Sequence, residues 1–369
     1  MGRLTLFLLL CATLSATATG QPAPTPSQQR PVKGSAPGKI GTVAHVKTDL
    51  HLVRVETITS PSEVAQSFLS PVRCDADGNL YFRQDAVDGV HKLNRKGEPV
   101  ALFQAAANTD KNIDAIAAFA IAPDGDLYQL VYPHEYDRYV FVYKSDGTFK
   151  SMTKLNPGFT WSPHAIAVFQ SGQLLISASE YDRDRTAAKW PFTGIFGADG
   201  ALLKEVELED DETLHDMAAS GDARVTAPNF PQSNRAVDLS QIEMASDGNG
   251  YLMRWTNPAI IYAISAGGEV VRRIKIEAGG PGYRPSKMHV MQNRIAVLFA
   301  DPQTHEKVMR IVDLEGHEIA SYDEPRVNGK PQGAMLGGAF ACYTENPTRF
   351  VFLGANDDNK LQLWIAEPR

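Results

Sequence analysis

The chain has 369 residues, 36 basic and 43 acidic, with a formal charge of −7. That balance excludes nucleic acid as a partner, because phosphate contacts need a basic face. Three cysteines without any zinc-type Cys/His spacing give no sign of a structural metal.

Arg3 is followed by an apolar run over 4–14 and small residues over 15–20. This is the charged, apolar and small-residue order of a secretory leader, so residues 1–20 are read as a signal peptide. Leu10 precedes Cys11, where a lipid-anchor signal needs a small residue. The expectation is a soluble periplasmic or secreted protein. No later stretch approaches the ~20 apolar residues of a membrane span. Residues 21–40 carry Pro22, Pro24, Pro26, Pro31 and Pro37 among Gln, Ser and Gly, a composition that forms a linker and no core.

From residue 41 onward two kinds of tight turn alternate. CDADGNLYF (74–82), IAPDGDLYQL (121–130) and MASDGNGYLM (244–253) represent the first. VFVYKSDGTFKSM (140–152), GIFGADGALLKEV (194–206) and YAISAGGEVVRRI (262–274) represent the second. Asp-Gly and Gly-Gly supply the positive backbone angles of hairpin turns between β-prone segments. First turns fall near Gly78, Gly125, Gly172, Gly248, Asn293 and Asn346, and second turns near Gly97, Gly147, Gly200, Gly268, Gly316 and Asp358. Six pairs predict an all-β, six-bladed β-propeller of four-stranded antiparallel blades over 41–369. The unpatterned stretch 209–235 is an inserted loop, with a degenerate seventh blade as the alternative. The last blade has three strands before the chain ends, and LHLVRVETIT (50–59) alternates like a strand. Pairing that segment with the last blade closes the ring and removes two exposed edges.

These turns and the V-x-x-x-x-DG pattern resemble the six-bladed propellers of the NHL and TolB-like type. The resemblance covers nearly all of 50–366. It implies extracytoplasmic use and a ligand site near the central axis, and it carries no substrate with it.

Cys74 and Cys342 hold equivalent places in the first and last blades. They are either a disulfide stapling the closure or two small buried apolar residues. The DG turns share one face of the ring. The opposite loops, including YPHEYDRY (132–139), SEYDRDRTAAKWP (179–191) and RWTNP (254–258), vary in length and are rich in Tyr, Arg and Trp. Function concentrates on such loops over a rigid scaffold. Tyr136, Arg138, Tyr181, Arg183, Trp190, Arg254 and Trp255 are the candidate anchors, because aromatic and Arg side chains dominate binding surfaces. His164 sits near the channel mouth, where other repeats hold small residues. Arg73 and Glu243 share one inner column and can pair across the channel. Lys287 is the one charge in a column of Val72, Phe119, Ile166, Ile242 and Phe340, so it needs a partner or a ligand.

There is no GxSxG elbow and no HExxH motif. Gluconolactonase-like propellers hold a metal through an inner-strand Glu with Asn and Asp partners; here Glu243 stands without them. The sequence therefore favours a monomeric binding module for a protein or carbohydrate-like partner, without metal or cofactor, over a hydrolase or lyase working at the channel mouth.

Overall fold

The computed structural model describes residues 40–42, 50–63, 69–84, 89–134, 137–181, 183, 189–219, 235–278, 280, 282–327, 330–331 and 338–369. The leader and nearly all of the linker, Tyr136 and positions 220–234 of the insertion lie outside these residues. Six antiparallel four-stranded units form the blades of a six-bladed propeller. Their inner strands are Leu69–Cys74, Ile113–Ile121, Trp161–Val168, Gln241–Met244, Arg284–Met291 and Ala339–Glu345.

Alternation along each strand sends apolar side chains to both neighbouring blades. Six buried apolar clusters result, one at each interface between blades. Phe119, Phe141 and Tyr81 lie in the cluster between blades 1 and 2, and Ile166, Phe192 and Phe196 in the next. Ile242, Leu252 and Leu175 join blades 3 and 4, and Met288, Val297 and Ile261 join blades 4 and 5. Leu298, Ile311 and Phe352 join blades 5 and 6, and Val72, Leu80 and Leu353 close the circle.

Closure follows the expected three-plus-one pattern. Leu52–Glu63 runs antiparallel to Lys360–Pro368 and supplies the outer strand of blade 6. Cys74 and Cys342 are disulfide-bonded between the inner strands of blades 1 and 6, with Cα atoms 5.7 Å apart. One added strand was not foreseen: Ile40–Thr42 lies parallel to the outer strand of blade 4, opposite Arg273, Ile274 and Lys275.

The turn glycines have positive φ from Gly78 through Gly316. The requirement is strictest at Gly200, where a Cβ would stand 2.0 Å from the Lys154 carbonyl oxygen.

Two sequence expectations change. The insertion is partly helical: α1 spans Asp211–Ala219 and α2 spans Arg235–Asp238. Leu214, Ala236 and Val237 form their shared apolar contact, and the two helices pack on the second and third strands of blade 3. Lys287 also leaves its assigned column. Blades 1 to 4 turn through five residues after the inner strand, as between Met244 and Gly250, whereas blade 5 turns through two, between Met291 and Arg294. Aligning on the turns therefore misplaces blade 5 by one residue, and a one-residue slip exchanges the two faces of a strand. Met288 takes the core place of Val72 and Ile242, while Lys287 and His289 face the axis.

Candidate functional site

Two polar clusters stand on this frame. The first fills the axis toward the DG-turn side. Arg73 of blade 1 reaches across the ring, its Nη1 2.9 Å from Glu243 Oε1 of blade 4. Small residues on intervening blades, Ala120 and Ala167, line the space this needs. Arg73 Nε donates to the Phe119 carbonyl at 3.0 Å and Nη2 to the Ile242 carbonyl at 2.8 Å. Glu243 Oε2 accepts from the Val290 N–H at 2.7 Å and lies 3.0 Å from His289 Nδ1. Lys287 Nζ is 3.7 Å from Glu243 Oε1.

Burial alone would push the Glu243 carboxyl up, but His289, Arg73 and Lys287 around it bring it down to about 2. Burial pushes Lys287 down to about 8 despite the attraction of Glu243. The pairing across the channel seen in sequence is thus present, with two further members. The space beside it is a cavity of about 90 Å³, lined by Arg73, Cys74, Glu243 and His289 among others. Drug-sized ligand sites need several hundred Å³.

The second cluster lies at the loop end of blades 2 to 4. On the strand Leu174–Glu180 the face toward blade 4 carries Leu175 near the turn, then Ser177 and Ser179 near the loops. Ser179 Oγ donates to Asp238 Oδ1 of α2 at 3.1 Å. His164 Nε2 is 3.0 Å from both Asp238 Oδ1 and Ser179 Oγ. Lys189 Nζ is 3.6 Å from Asp238 Oδ2. Burial would raise the Asp238 carboxyl, but His164, Lys189 and Ser179 leave it below the usual carboxylate range. Ser179 is fully buried and gives its proton to a carboxylate, so it is placed to hold Asp238 and not to attack a substrate.

Around this centre three cation–aromatic pairs follow one another. Arg138 lies over the Tyr132 ring at 4.0 Å, Lys189 over Tyr181 at 5.3 Å and Arg183 over Trp190 at 5.3 Å. Tyr132 ties blade 2 to blade 3 by donating to the Pro163 carbonyl, next to His164. Trp190 stacks on His215 of α1 with centroids 3.8 Å apart, and its indole N–H has no partner among the described residues.

Arg254 differs from its expected place. Its side chain is 0 % exposed, beneath the insertion. Nη2 lies 2.5 Å from Asp211 Oδ1, and Nη1 is 3.5 Å from Ser177 Oγ and 3.4 Å from Ser240 Oγ. Trp255 is half-buried, its N–H donating to the Ala236 carbonyl of α2 at 3.1 Å. Blade 4 also holds the two acids before Asp211: Tyr262 donates to Asp210, and Arg273 pairs with Glu209. Burial, opposed by Arg254 and reinforced by Asp210, pushes the Asp211 carboxyl up to about 7.

The structure therefore gathers His164, Tyr181, Arg183 and Trp190 at one end of blade 3, with Arg138 beside them. It separates them from Glu243 and Lys287, which are buried and mutually paired. Sequence reading missed Asp238, Ser179, Lys189 and His215, because these meet only when the insertion folds back. It also missed His289, hidden by the blade 5 turn. Among the described residues no three His, Cys, Asp or Glu side chains converge as a metal site would require. Among them, too, no helix is long and apolar enough to cross a membrane.

No protein-family profile matches the chain, and no curated protein sequence does. Solved structures with a similar arrangement include virginiamycin B lyase from Staphylococcus aureus, at 14% identity, 86% and 88% coverage of the two chains and TM-score 0.44. The PQQ-bound aldose sugar dehydrogenase from Streptomyces coelicolor gives 9% identity, 87% and 99% coverage and TM-score 0.47. A protein of unknown function from Dyadobacter fermentans gives 11% identity, 86% and 99% coverage and TM-score 0.49. At such distances these likenesses carry no argument about chemistry.

Proposed function

We propose that this chain is a secreted or periplasmic binding module that takes a protein or carbohydrate-like partner on the loop face of blades 2 to 4, acting as a monomer. The observation that supports it is the run of three cation–aromatic pairs beside His164 and Asp238. Each pair sets an aromatic ring against a cation, the residue types that dominate binding surfaces. The axis offers no comparable opening, since its charges are paired with one another.

A hydrolase or lyase is the second reading, and the His164–Asp238 contact favours it. A carboxylate on one ring nitrogen leaves the other free to take a proton from a bound substrate. The side chain of His164 is 15% exposed, enough to meet one.

The test is titration of purified variants against glycan arrays and against the carbohydrates or peptides those arrays and peptide libraries select. Trp190→Ala and Tyr181→Ala are expected to weaken binding by on the order of 2 kcal/mol without unfolding the ring. Lys96→Ala and Lys144→Ala, at the opposite face, are expected to change it by less than about 0.5 kcal/mol. Losses confined to the second pair would place the site on the wrong side. Turnover of a selected ligand that disappears in His164→Ala would favour the enzyme.

A further inference from the structure

The turn-side end of the channel holds an arrangement independent of the loop face. Cys74 ends the inner strand of blade 1 and is bonded to Cys342 of blade 6. His289 Nε2 lies 3.5 Å from Cys74 Sγ. The other ring nitrogen, Nδ1, is 3.0 Å from Glu243 Oε2. The carboxylate and Nδ1 stand at ion-pair distance without hydrogen-bond alignment, so Glu243 is placed to balance the charge on the ring once Nε2 takes a proton from the thiol. Glu243 is itself held by Arg73 at 2.9 Å and the Val290 N–H at 2.7 Å. Sulfur, imidazole and carboxylate stand in the order that activates a nucleophilic thiol. Cys74 lines the axial cavity, whereas Cys342 is 2% exposed.

We propose that the Cys74–Cys342 bridge masks a reactive thiol: a small dithiol reductant releases Cys74 as a thiolate paired with the His289 imidazolium, available to small electrophiles and disulfides that enter the channel. The reductant's thiolate attacks Cys74 Sγ, the sulfur facing the cavity. The Cys74–Cys342 bond breaks, and Cys342 leaves and takes up a proton. The reductant's second thiol then displaces Cys74 from the mixed disulfide, and the reductant departs as a cyclic disulfide. Two electrons pass from the dithiol to the two protein sulfurs. One of its two protons ends on Cys342 and the other on His289 Nε2.

The surroundings favour this state. Arg73 and Lys287 add positive charge around Glu243, and a thiolate is stabilised by nearby cations. Asp75, next in the chain, is turned away: its carboxylate accepts from the Asn79 N–H at 2.9 Å and from the Tyr81 hydroxyl at 3.1 Å. The ring does not depend on the bridge for closure, since Leu52–Glu63 pairs with Lys360–Pro368 across the same blade.

The experiment reduces the folded protein with dithiothreitol, removes the reductant, and follows iodoacetamide labelling of Cys74 and Cys342 by peptide mass spectrometry. An unperturbed thiol has a pKa of about 8.5. About two pH units below that value, Cys74 is expected to label at least ~10-fold faster than Cys342 and free cysteine, following its thiolate fraction. His289→Gln is expected to remove that advantage. Cys342→Ser leaves Cys74 unbridged from the start, and ultraviolet titration of its thiolate should give a midpoint well below about 8.5. Should either variant fail to fold, the wild-type labelling ratio decides alone. A bridge that resists the dithiol in the folded protein would overturn the proposal. So would Cys74 labelling no faster than Cys342, or labelling indifferent to His289→Gln in a folded variant.

Discussion

The axial cluster and the clamp beneath the insertion use the same side chains to opposite effect. Both place a carboxylate against a buried arginine. On the axis, Glu243 faces Arg73, Lys287 and His289, and its carboxyl is brought down to about 2. In the clamp, Asp211 has Arg254 and also the neighbouring Asp210, and its carboxyl is pushed up to about 7. Burial raises both. What decides the sign is the number of cations that converge on each carboxylate, less any anion beside it. The axis is therefore a permanent charged strut, while the clamp stands near its titration point at neutral pH.

The largest expected effect breaks the strut. Glu243→Gln leaves Arg73 and Lys287 buried without a counter-charge and is expected to cost about 3–5 kcal/mol in denaturant unfolding at neutral pH. A loss under about 1 kcal/mol would show that the axis contributes little to holding the ring. Arg254→Met comes next. Asp211 can take up a proton once its partner is gone, so about 2 kcal/mol is expected, the worth of a hydrogen bond to a charged group. Limited proteolysis should then cut within 209–235 before any blade is cut.

The pH dependence separates the two regions by sign. Glu243 is depressed from 4.5, so its contribution is complete above that value and is lost as pH falls toward about 2. Asp211 is raised from 3.8, so the folded state holds a proton that the unfolded chain has released between 3.8 and about 7. Stability from this group is greatest below that window and falls as pH rises through it. Asp211→Asn should flatten the wild-type slope over the window and leave the acid limb unchanged. Identical slopes in the two proteins would remove the distinction between strut and clamp. The smallest effect is expected at Lys144→Ala, an exposed turn residue, at under about 0.5 kcal/mol in stability.

Much of the frame was legible because it rests on local rules. Gly78, Gly97, Gly125 and Gly147 mark turns whatever surrounds them, since positive φ is a property of the turn itself. The strand near residues 50–59 showed itself by alternation and by the missing edge it had to fill. The loop-face candidates Tyr181, Arg183 and Trp190 could be grouped from equivalent loop positions alone. Arg254 could not be placed, because its sequence neighbourhood is that of a loop anchor while its environment is made by Asp211, Ser177 and Ser240 from other elements.

The sequence by itself determined the blade number, the closing strand and the face each turn occupies, because hairpin geometry and period-two alternation are set within a few residues. Tertiary structure alone decided that Lys287 and His289 join Arg73 and Glu243 at the axis, and which loop cations are covered. Blade 5 turns through two residues where blades 1 to 4 use five, and that difference moves Lys287 and His289 onto Glu243. The insertion folds α1 and α2 back over blades 3 and 4, which turns Arg254 from a loop residue into a buried clamp. Both outcomes depend on contacts between distant segments, and no local pattern encodes which distant segment will supply the partner charge.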